Sequence, residues 1–317
     1  MKAAVVDGYG GTEVLQVREV AAPVAQPGEV LIRVRAAGVN PVDWKIRRGD
    51  IRPFLPRHFP FIPGGDVAGE VASVGEGVTR FGPGTPVFAL CGAGGGGGYA
   101  EYVAVKDDLV ARKPEAWSYE EAAAVPIAGL TALQALRDLG RLEGGQAVLV
   151  NGASGGVGHL AVPIARSLGA RVIAATCGPR NVDFVRSLGA DPVIDYTRAD
   201  FTRRSGTYDV ILDAVATSSF GACRLVLSAA GTYISTLPSP SVLFWSAAQA
   251  VRFGPHQRAR FILVKGNGRD LDHLARLADD GRLRPTLEHV FPLDQVREAH
   301  AASEGGHTRG KIVLKID

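Results

Sequence analysis

Residues 147–150 form an unbroken apolar run, Ala-Val-Leu-Val, that stops at Asn151-Gly152. A different rhythm follows. Val157, Leu160, Ala161, Ile164, Ala165 and Leu168 recur at the three-, four- and seven-residue spacing of one helix face. The pattern predicts a buried strand, a glycine turn over 152–158 and a helix bent by the internal Pro163. Upstream the pattern is shorter. Apolar-rich runs at 1–6, 14–20, 29–36, 67–74, 86–90 and 99–105 are broken by Gly and Pro, which predicts a β-barrel-like domain of short strands. The nearly all-glycine stretch 92–98 reads as a surface loop, because no helix follows it. At Ser118-Tyr-Glu-Glu121 a capping box opens a helical stretch over 122–136, divided by Pro126.

Beyond the glycine turn the two periods alternate. Strands are predicted at 171–176, 192–194, 209–214, 232–237 and 261–264, with helices at 181–188, 219–227 and 242–251. Arg-Ser-Leu-Gly-Ala occurs at 166–170 and again at 186–190, where two successive helices end on a glycine. Such alternation implies an α/β fold with a doubly wound parallel sheet, a Rossmann nucleotide domain. The tail changes style again, with a helix at 270–277, a turn at 281–285 into an edge strand, a helix at 293–302 and a strand at 311–316. We read it as completing the first domain, so that residues 1–119 and 265–317 form a β-rich domain and residues 120–264 the nucleotide domain.

Composition narrows the function class. Of 317 residues 46% are hydrophobic and 21% charged, as in ordinary globular proteins. The net charge of +3 is small and its basic residues are scattered, so no nucleic-acid partner is expected. No apolar run approaches the roughly 18 residues of a membrane span, and Asp7 interrupts the N-terminus before a signal-length segment forms. A cytoplasmic enzyme without a membrane partner is the expectation. Cys91, Cys177 and Cys223 stand far apart, which argues against a disulfide framework or a cysteine-rich zinc lobe.

The glycine turn carries the clearest chemistry. Read as G-x-G-x-x-G, it has Ala153 in the first position, then Gly155 and Gly158. A strand, such a turn and a helix N-terminus together cradle a pyrophosphate. Enzymes that take NAD carry a carboxylate about 20 residues further on; here Thr176-Cys-Gly-Pro-Arg180 has none, and Arg180 suits a 2′-phosphate. NADPH is therefore the expected cofactor. Tyr102 and Lys106 have the Tyr-x-x-x-Lys spacing of short-chain dehydrogenases, but they precede the turn in a strand-like segment, which makes coincidence the better reading. His58 lies in a Pro-rich loop and reads as solvated.

Several ordered motifs together resemble the medium-chain dehydrogenase/reductase superfamily, in its zinc-free, zeta-crystallin-like quinone oxidoreductase branch. They are Ala37-Gly-Val-Asn-Pro-Val-Asp-Trp-Lys-Ile-Arg47, Pro63-Gly-Gly-Asp-Val-Ala-Gly69, Gly98-Tyr-Ala-Glu-Tyr102, residues 122–132, residues 151–158 and Gly310-Lys-Ile-Val-Leu314. The resemblance spans essentially the whole chain and implies a GroES-like catalytic domain beside the Rossmann domain. Zinc-dependent relatives carry Cys where this chain has Asn40 and Gly-His-Glu where it has Gly64-Gly65-Asp66, so no metal is expected. Without zinc, the resemblance implies hydride transfer from NADPH to a quinone, with a conjugated enone or alkenal as the alternative acceptor and a non-catalytic, crystallin-like NADPH-binding protein as the rival. It assigns Asn40, Asp43 and Lys45 to the nicotinamide and substrate, Asp43 more as a structural acceptor than as a base. Many quinone reductases have an aromatic residue at Lys45, whereas Asp-Trp-Lys looks like plant-type enone reductases; Lys45 would meet a cofactor phosphate or polarise a carbonyl. Thr131 would face the nicotinamide side. Ser154, Gly155, Gly156, Val157 and Gly158, with Ala153, would hold the pyrophosphate. Arg180 and Tyr196 would flank the 2′-phosphate, although Gly178-Pro179 replaces a Ser or Thr of the family. Leu237, Gly266 and Asn267 would approach the nicotinamide, and Lys311 would close over the cofactor. A homodimer is the expected assembly.

Overall fold

The computed structural model describes residues 1–91, 96–203, 207–250 and 256–316. In chain order, β1 (Lys2–Val6) pairs with β2 (Leu15–Glu19), and β3 (Glu29–Val39) runs into helix α1 (Pro41–Arg48). β4 (Asp66–Val74), β5 (Pro86–Leu90), β6 (Tyr102–Lys106) and β7 (Val110–Arg112) follow, then α2 (Tyr119–Ala123) and α3 (Pro126–Gln134). Next come β8 (Ala147–Asn151), α4 (Gly158–Ser167), β9 (Val172–Cys177), α5 (Val182–Ser187), β10 (Val193–Asp195), β11 (Tyr208–Asp213), α6 (Phe220–Cys223), β12 (Leu227–Ser235), α7 (Pro240–Ala250) and β13 (Arg258–Phe261). The tail adds α8 (Gly268–Asp279), β14 (Leu287–Pro292), α9 (Val296–Glu304) and β15 (Lys311–Lys315). The chain divides into two compact units, residues 1–130 with 265–317 and residues 131–264. The first division falls beyond residue 119 because α2 packs on β3 and β4 of the first unit.

Within the first unit, β1 and β2 form a two-stranded sheet, and the other described strands lie in the order β14-β15-β3-β4-β5-β7, with β6 also paired to β3. All pair antiparallel except β14 with β15. β3 serves two neighbours on one side, because Glu29–Arg33 pairs with β6 and the stretch 36–39 with β15. Register shifts against β4 at Leu31/Ile32 and Val34/Ala36 bend it between them. Its alternate residues Val30, Ile32 and Val34 are buried in one core with Val71, Val87, Val103 and Leu314. Helix α1 was not legible from apolar periodicity: it is short and half charged. Pro41 at its first position, the Asn40 N–H donating to Asp43 Oδ2 (2.8 Å) and Gly49 at φ +84° define it instead.

The second unit is built on parallel strands in the order β10-β9-β8-β11-β12-β13. Renumbered within the unit this is 3-2-1-4-5-6, the doubly wound arrangement. β8 is buried along its whole length, as a central parallel strand must be. Gly169 and Gly189, one in each Arg-Ser-Leu-Gly-Ala repeat, take φ +89° and +101° after α4 and α5. α4 keeps Pro163 inside a single helix. Two expected elements change. Only Phe220–Cys223 of 219–227 is helical, because Leu227 enters the core as the first residue of β12, paired with Tyr208. The expected strand at 261–264 lies at Arg258–Phe261, where buried Ala259 alternates with half-buried arginines on the sheet's edge. Residues 92–95 of the glycine loop and Val251, the last residue of the expected helix at 242–251, fall outside the described residues.

Candidate functional site

Strand register assembles a polar cluster in the first unit. β3 ends at Val39, opposite Ile312 of β15, and Gly38 lies opposite Asp66 of β4, so Lys311, Asn40 and Asp66 share one end of the sheet. Only glycine fits at 38, since a Cβ there would lie 2.4 Å from the Ala123 carbonyl oxygen. Asn40 Nδ2 donates to Asp66 Oδ2 (2.9 Å), and the Lys311 ammonium donates to Asn40 Oδ1 and to the Val39 carbonyl (3.2 Å), 3.7 Å from Asp66 Oδ2. Asp66 Oδ1 accepts from the Ile127 N–H (2.8 Å) at the start of α3. One turn along, Asp43 Oδ2 accepts from Asn40 N and from Tyr99 OH (2.9 Å). Asn40, Asp43, Asp66, Tyr99 and Lys311 are all buried. Burial pushes the Asp43 carboxyl up to about 7, raises Asp66 and lowers Lys311, while the Asp66–Lys311 attraction opposes both of the last two shifts.

Asn40 and Asp43 thus hydrogen-bond to the protein's own groups, and Lys311, expected to close over the cofactor, has its ammonium buried against Asn40 and Asp66. Its charge compensates the buried Asp66, which unpaired would be costly. Lys45 differs. It is half-buried on α1, 5.4 Å from the Trp44 ring that Arg48 also approaches, and its ammonium has no hydrogen bond or ion pair among the described residues. Burial lowers its pKa. Beneath it, buried Arg47 donates to Gly10 O, to His300 Nδ1 (3.2 Å) and to Glu304 (2.5 Å), which pins α1 to α9. Because the guanidinium only donates, His300 must carry its proton on Nε2; burial and the Arg47 charge hold it down to about 3. Neither Arg47 nor His300 stands out in sequence, where they are 253 residues apart.

In the second unit, β8 delivers Asn151 to the glycine turn. Gly152, not position 153, takes the left-handed backbone at φ +80°, while Ala153 is fully buried. Gly158 makes the close approach, since a Cβ there would lie 2.2 Å from Gly152 O. Gly155 faces open space, with only Gly152 O within 4 Å of such a Cβ. Ser154, Gly155, Gly156 and Val157 are half-exposed ahead of α4, whose N-terminus no side chain caps. At the ends of neighbouring β9 and β10, Tyr196 N donates to Cys177 O (3.2 Å), and the 58% exposed Tyr196 lays its hydroxyl over Gly178, where a Cβ would lie 3.1 Å from it. Arg180 is exposed and free of hydrogen bonds and ion pairs among the described residues. Asp195, the last residue of β10, accepts from Thr197 N and Oγ1 (2.9 and 2.7 Å). These features fit a dinucleotide: an open turn, a helix start that no side chain caps and an exposed cation, Arg180, three residues past the end of β9.

The other expected residues scatter. Thr131 is buried in α3 (6%), and exposed Leu237 donates its N–H to Ser235 Oγ (3.2 Å). Asn267 Oδ1 caps α8 by accepting from Arg269 N (2.9 Å), and Gly266 packs beside Leu109 in the first unit. His58 is exposed, and Tyr102 and Lys106 lie on β6. The turn is backed by buried Thr176, Asp213 and Tyr233, which sequence reading missed; each is an ordinary polar residue at a strand end until the sheet order is known. Among the described residues no three His, Cys, Asp or Glu side chains gather as a metal would require. None of the described helices is long and apolar enough to cross a membrane.

Comparison with known proteins adds to this geometry. Residues 26–115 match the family described as alcohol dehydrogenase GroES-like domain, and residues 188–314 the family described as zinc-binding dehydrogenase. The chain is 40% identical to the chloroplastic quinone-oxidoreductase QR1 of Triphysaria versicolor, over 99% of this chain and 98% of that protein. It is 35% identical to 2-methylene-furan-3-one reductase of Solanum lycopersicum, covering 99% of this chain and 79% of that one. Among solved structures it superposes on the quinone oxidoreductase from Coxiella burnetii with a TM-score of 0.87, at 32% identity, over 100% and 99% of the two chains.

Proposed function

Because the chain belongs to the quinone oxidoreductase branch of the medium-chain dehydrogenase/reductase superfamily, we propose that it is an NADPH-dependent reductase of quinones. The observation that carries the cofactor choice is Arg180, exposed and without a hydrogen bond or ion pair among the described residues. A guanidinium there favours a 2′-phosphate, and hydrogen bonds to charged groups contribute about 1.5–3 kcal/mol each. When bound, the reduced nicotinamide supplies a hydride to an electron-poor acceptor. The protein's part is to place positive charge and a proton donor at the acceptor oxygen, where negative charge develops. Lys45 suits that part: its ammonium makes no hydrogen bond or ion pair among the described residues, and partial burial makes it a better acid than a solvated lysine. Asn40, Asp43 and Lys311 hold α1 and the end of β3 behind it.

A second reading, reduction of a conjugated enone or alkenal, rests on Lys45 itself, since a cation beside a carbonyl oxygen would also activate an enone. The 2-methylene-furan-3-one reductase relative has a name that agrees with it. Steady-state NADPH oxidation with a benzoquinone and a naphthoquinone, run beside cyclohexenone and an alkenal, separates the two. Quinone turnover at least tenfold above enone turnover is expected. Turnover of the enones alone would replace this reading with the second, and tight NADPH binding without turnover of either set would make the chain a non-catalytic binder.

A further inference from the structure

Beneath the glycine turn, one continuous buried relay joins four strand ends. It starts at the Gly152 N–H, which donates to Thr176 Oγ1 (2.9 Å); the Thr176 hydroxyl donates to Asn151 Oδ1 (2.5 Å), and Asn151 Nδ2 donates to Asp213 Oδ1 (2.8 Å). Asp213 Oδ2 in turn accepts from the Ser218 N–H and the Tyr233 hydroxyl, each at 2.8 Å. Asn151, Thr176, Asp213 and Tyr233 are 6%, 1%, 0% and 0% exposed. They stand at or near the carboxyl ends of β8, β9, β11 and β12, and β8 and β11 are the neighbours at which the strand order reverses. Ligands of doubly wound sheets bind at that reversal.

The relay has an enforced polarity. Both of its ends are backbone N–H groups, which can only donate, so the Thr176 oxygen accepts from Gly152 and the Asp213 carboxylate from Ser218. Because a carboxylate only accepts, Asn151 must turn its NH2 toward Asp213, which puts Asn151 Oδ1 against Thr176 and directs the Thr176 hydroxyl proton to it. The backbone follows the same path, since Ala153 N donates to Thr176 O (2.9 Å) and Ala214 N to Asn151 O (3.0 Å). Such a network costs little when complete and much when one member is removed.

The geometry points to Thr176, Asn151 and Asp213 as positioning residues that hold the Gly152 turn at the height and angle at which its backbone meets the cofactor pyrophosphate. The inference rests on the nicotinamide-cofactor reading above. Thr176 contributes through its hydroxyl, not its bulk, because the hydroxyl alone satisfies the Gly152 N–H.

Thr176→Val keeps the shape and removes the hydroxyl; Thr176→Ser keeps the hydroxyl and removes a methyl. NADPH affinity is measured by fluorescence titration well below each Tm, and the acceptor KM is measured at saturating NADPH. Thr176→Val is expected to weaken NADPH about tenfold or more, a change of about 1.4 kcal/mol, with the acceptor KM within about twofold of wild type. Thr176→Ser is expected to stay within about threefold of wild type for NADPH. Equal losses in both variants, or none in Thr176→Val, would overturn the inference. A wild-type protein that binds neither NADPH nor NADH would instead overturn the cofactor reading. If Thr176→Val does not fold, Asn151→Asp decides. Two facing carboxylates must share a proton, so its NADPH affinity relative to wild type should fall as pH rises; a ratio to wild type that does not change with pH would count against the relay.

Discussion

The Asp43 carboxyl takes two hydrogen bonds on Oδ2, from Asn40 N and Tyr99 OH, and none on buried Oδ1 among the described residues. Desolvation outweighs those bonds and sets its titration near 7, against about 4 in an unfolded chain. The sign of the linkage follows. Below pH 4 the group is protonated folded and unfolded, and it costs nothing; between 4 and 7 the unfolded chain releases the proton that the folded chain keeps, so stability falls as pH rises and levels off above 7. Asp43→Asn keeps an oxygen for both donors and removes the ionisation. Its Tm is expected to decline several degrees less than that of the wild type between pH 5 and 8, as thermal unfolding across that range would show. Parallel declines would mean that Asp43 stays ionised in the folded protein. At this scale the sequence was a partial guide. Asn40 and Asp43 could be singled out because their motif is local, and Asp43 does act as a structural acceptor. The ammonium that completes the cluster comes from Lys311, 271 residues from Asn40, and register alone brings it there.

The glycine turn was the most legible element, because strand period, glycine spacing and helix period all lie within 22 residues of sequence. The motif's spacing puts Ala153 in its first position. Backbone conformation, not the motif's spacing, shows that Gly152 carries the positive φ and leaves Ala153 free to be buried. Elements whose boundaries depend on tertiary pairing, such as α6 and β13, were the ones displaced, since propensity cannot see which neighbour a strand will meet. Gly155 and Gly158 of the turn separate packing from binding. An alanine at 158 would press into the backbone of Gly152 and Ala153, whereas one at 155 meets nothing closer than 3.6 Å. Gly158→Ala is therefore expected to lower the Tm by several degrees. Gly155→Ala should leave the Tm within about a degree yet weaken NADPH more than tenfold, because its methyl occupies the space the pyrophosphate needs. Unfolding curves together with titrations check both, and intact NADPH affinity in Gly155→Ala would remove the pyrophosphate from that face.

For the whole molecule, cofactor choice becomes a stability difference that needs no substrate. A ligand bound only by the folded protein stabilises it by RT ln(1 + [L]/Kd), about 2.7 kcal/mol at a hundredfold excess over Kd. If the 2′-phosphate accounts for a tenfold to hundredfold preference, NADH at that same concentration stabilises by only about 1.4 to 0.4 kcal/mol. The resulting gap corresponds to a few degrees in Tm for a chain of this size. The net charge of +3 on 317 residues is too small for general attraction of polyanions to produce it. Thermal unfolding with equal NADPH and NADH should therefore show the larger rise with NADPH, and Arg180→Ala should bring the two rises together by lowering only the first. Equal rises in the wild-type protein would refute a 2′-phosphate site. A gap that survives Arg180→Ala would move that site to other residues of the rim, with exposed Tyr196 the next to test.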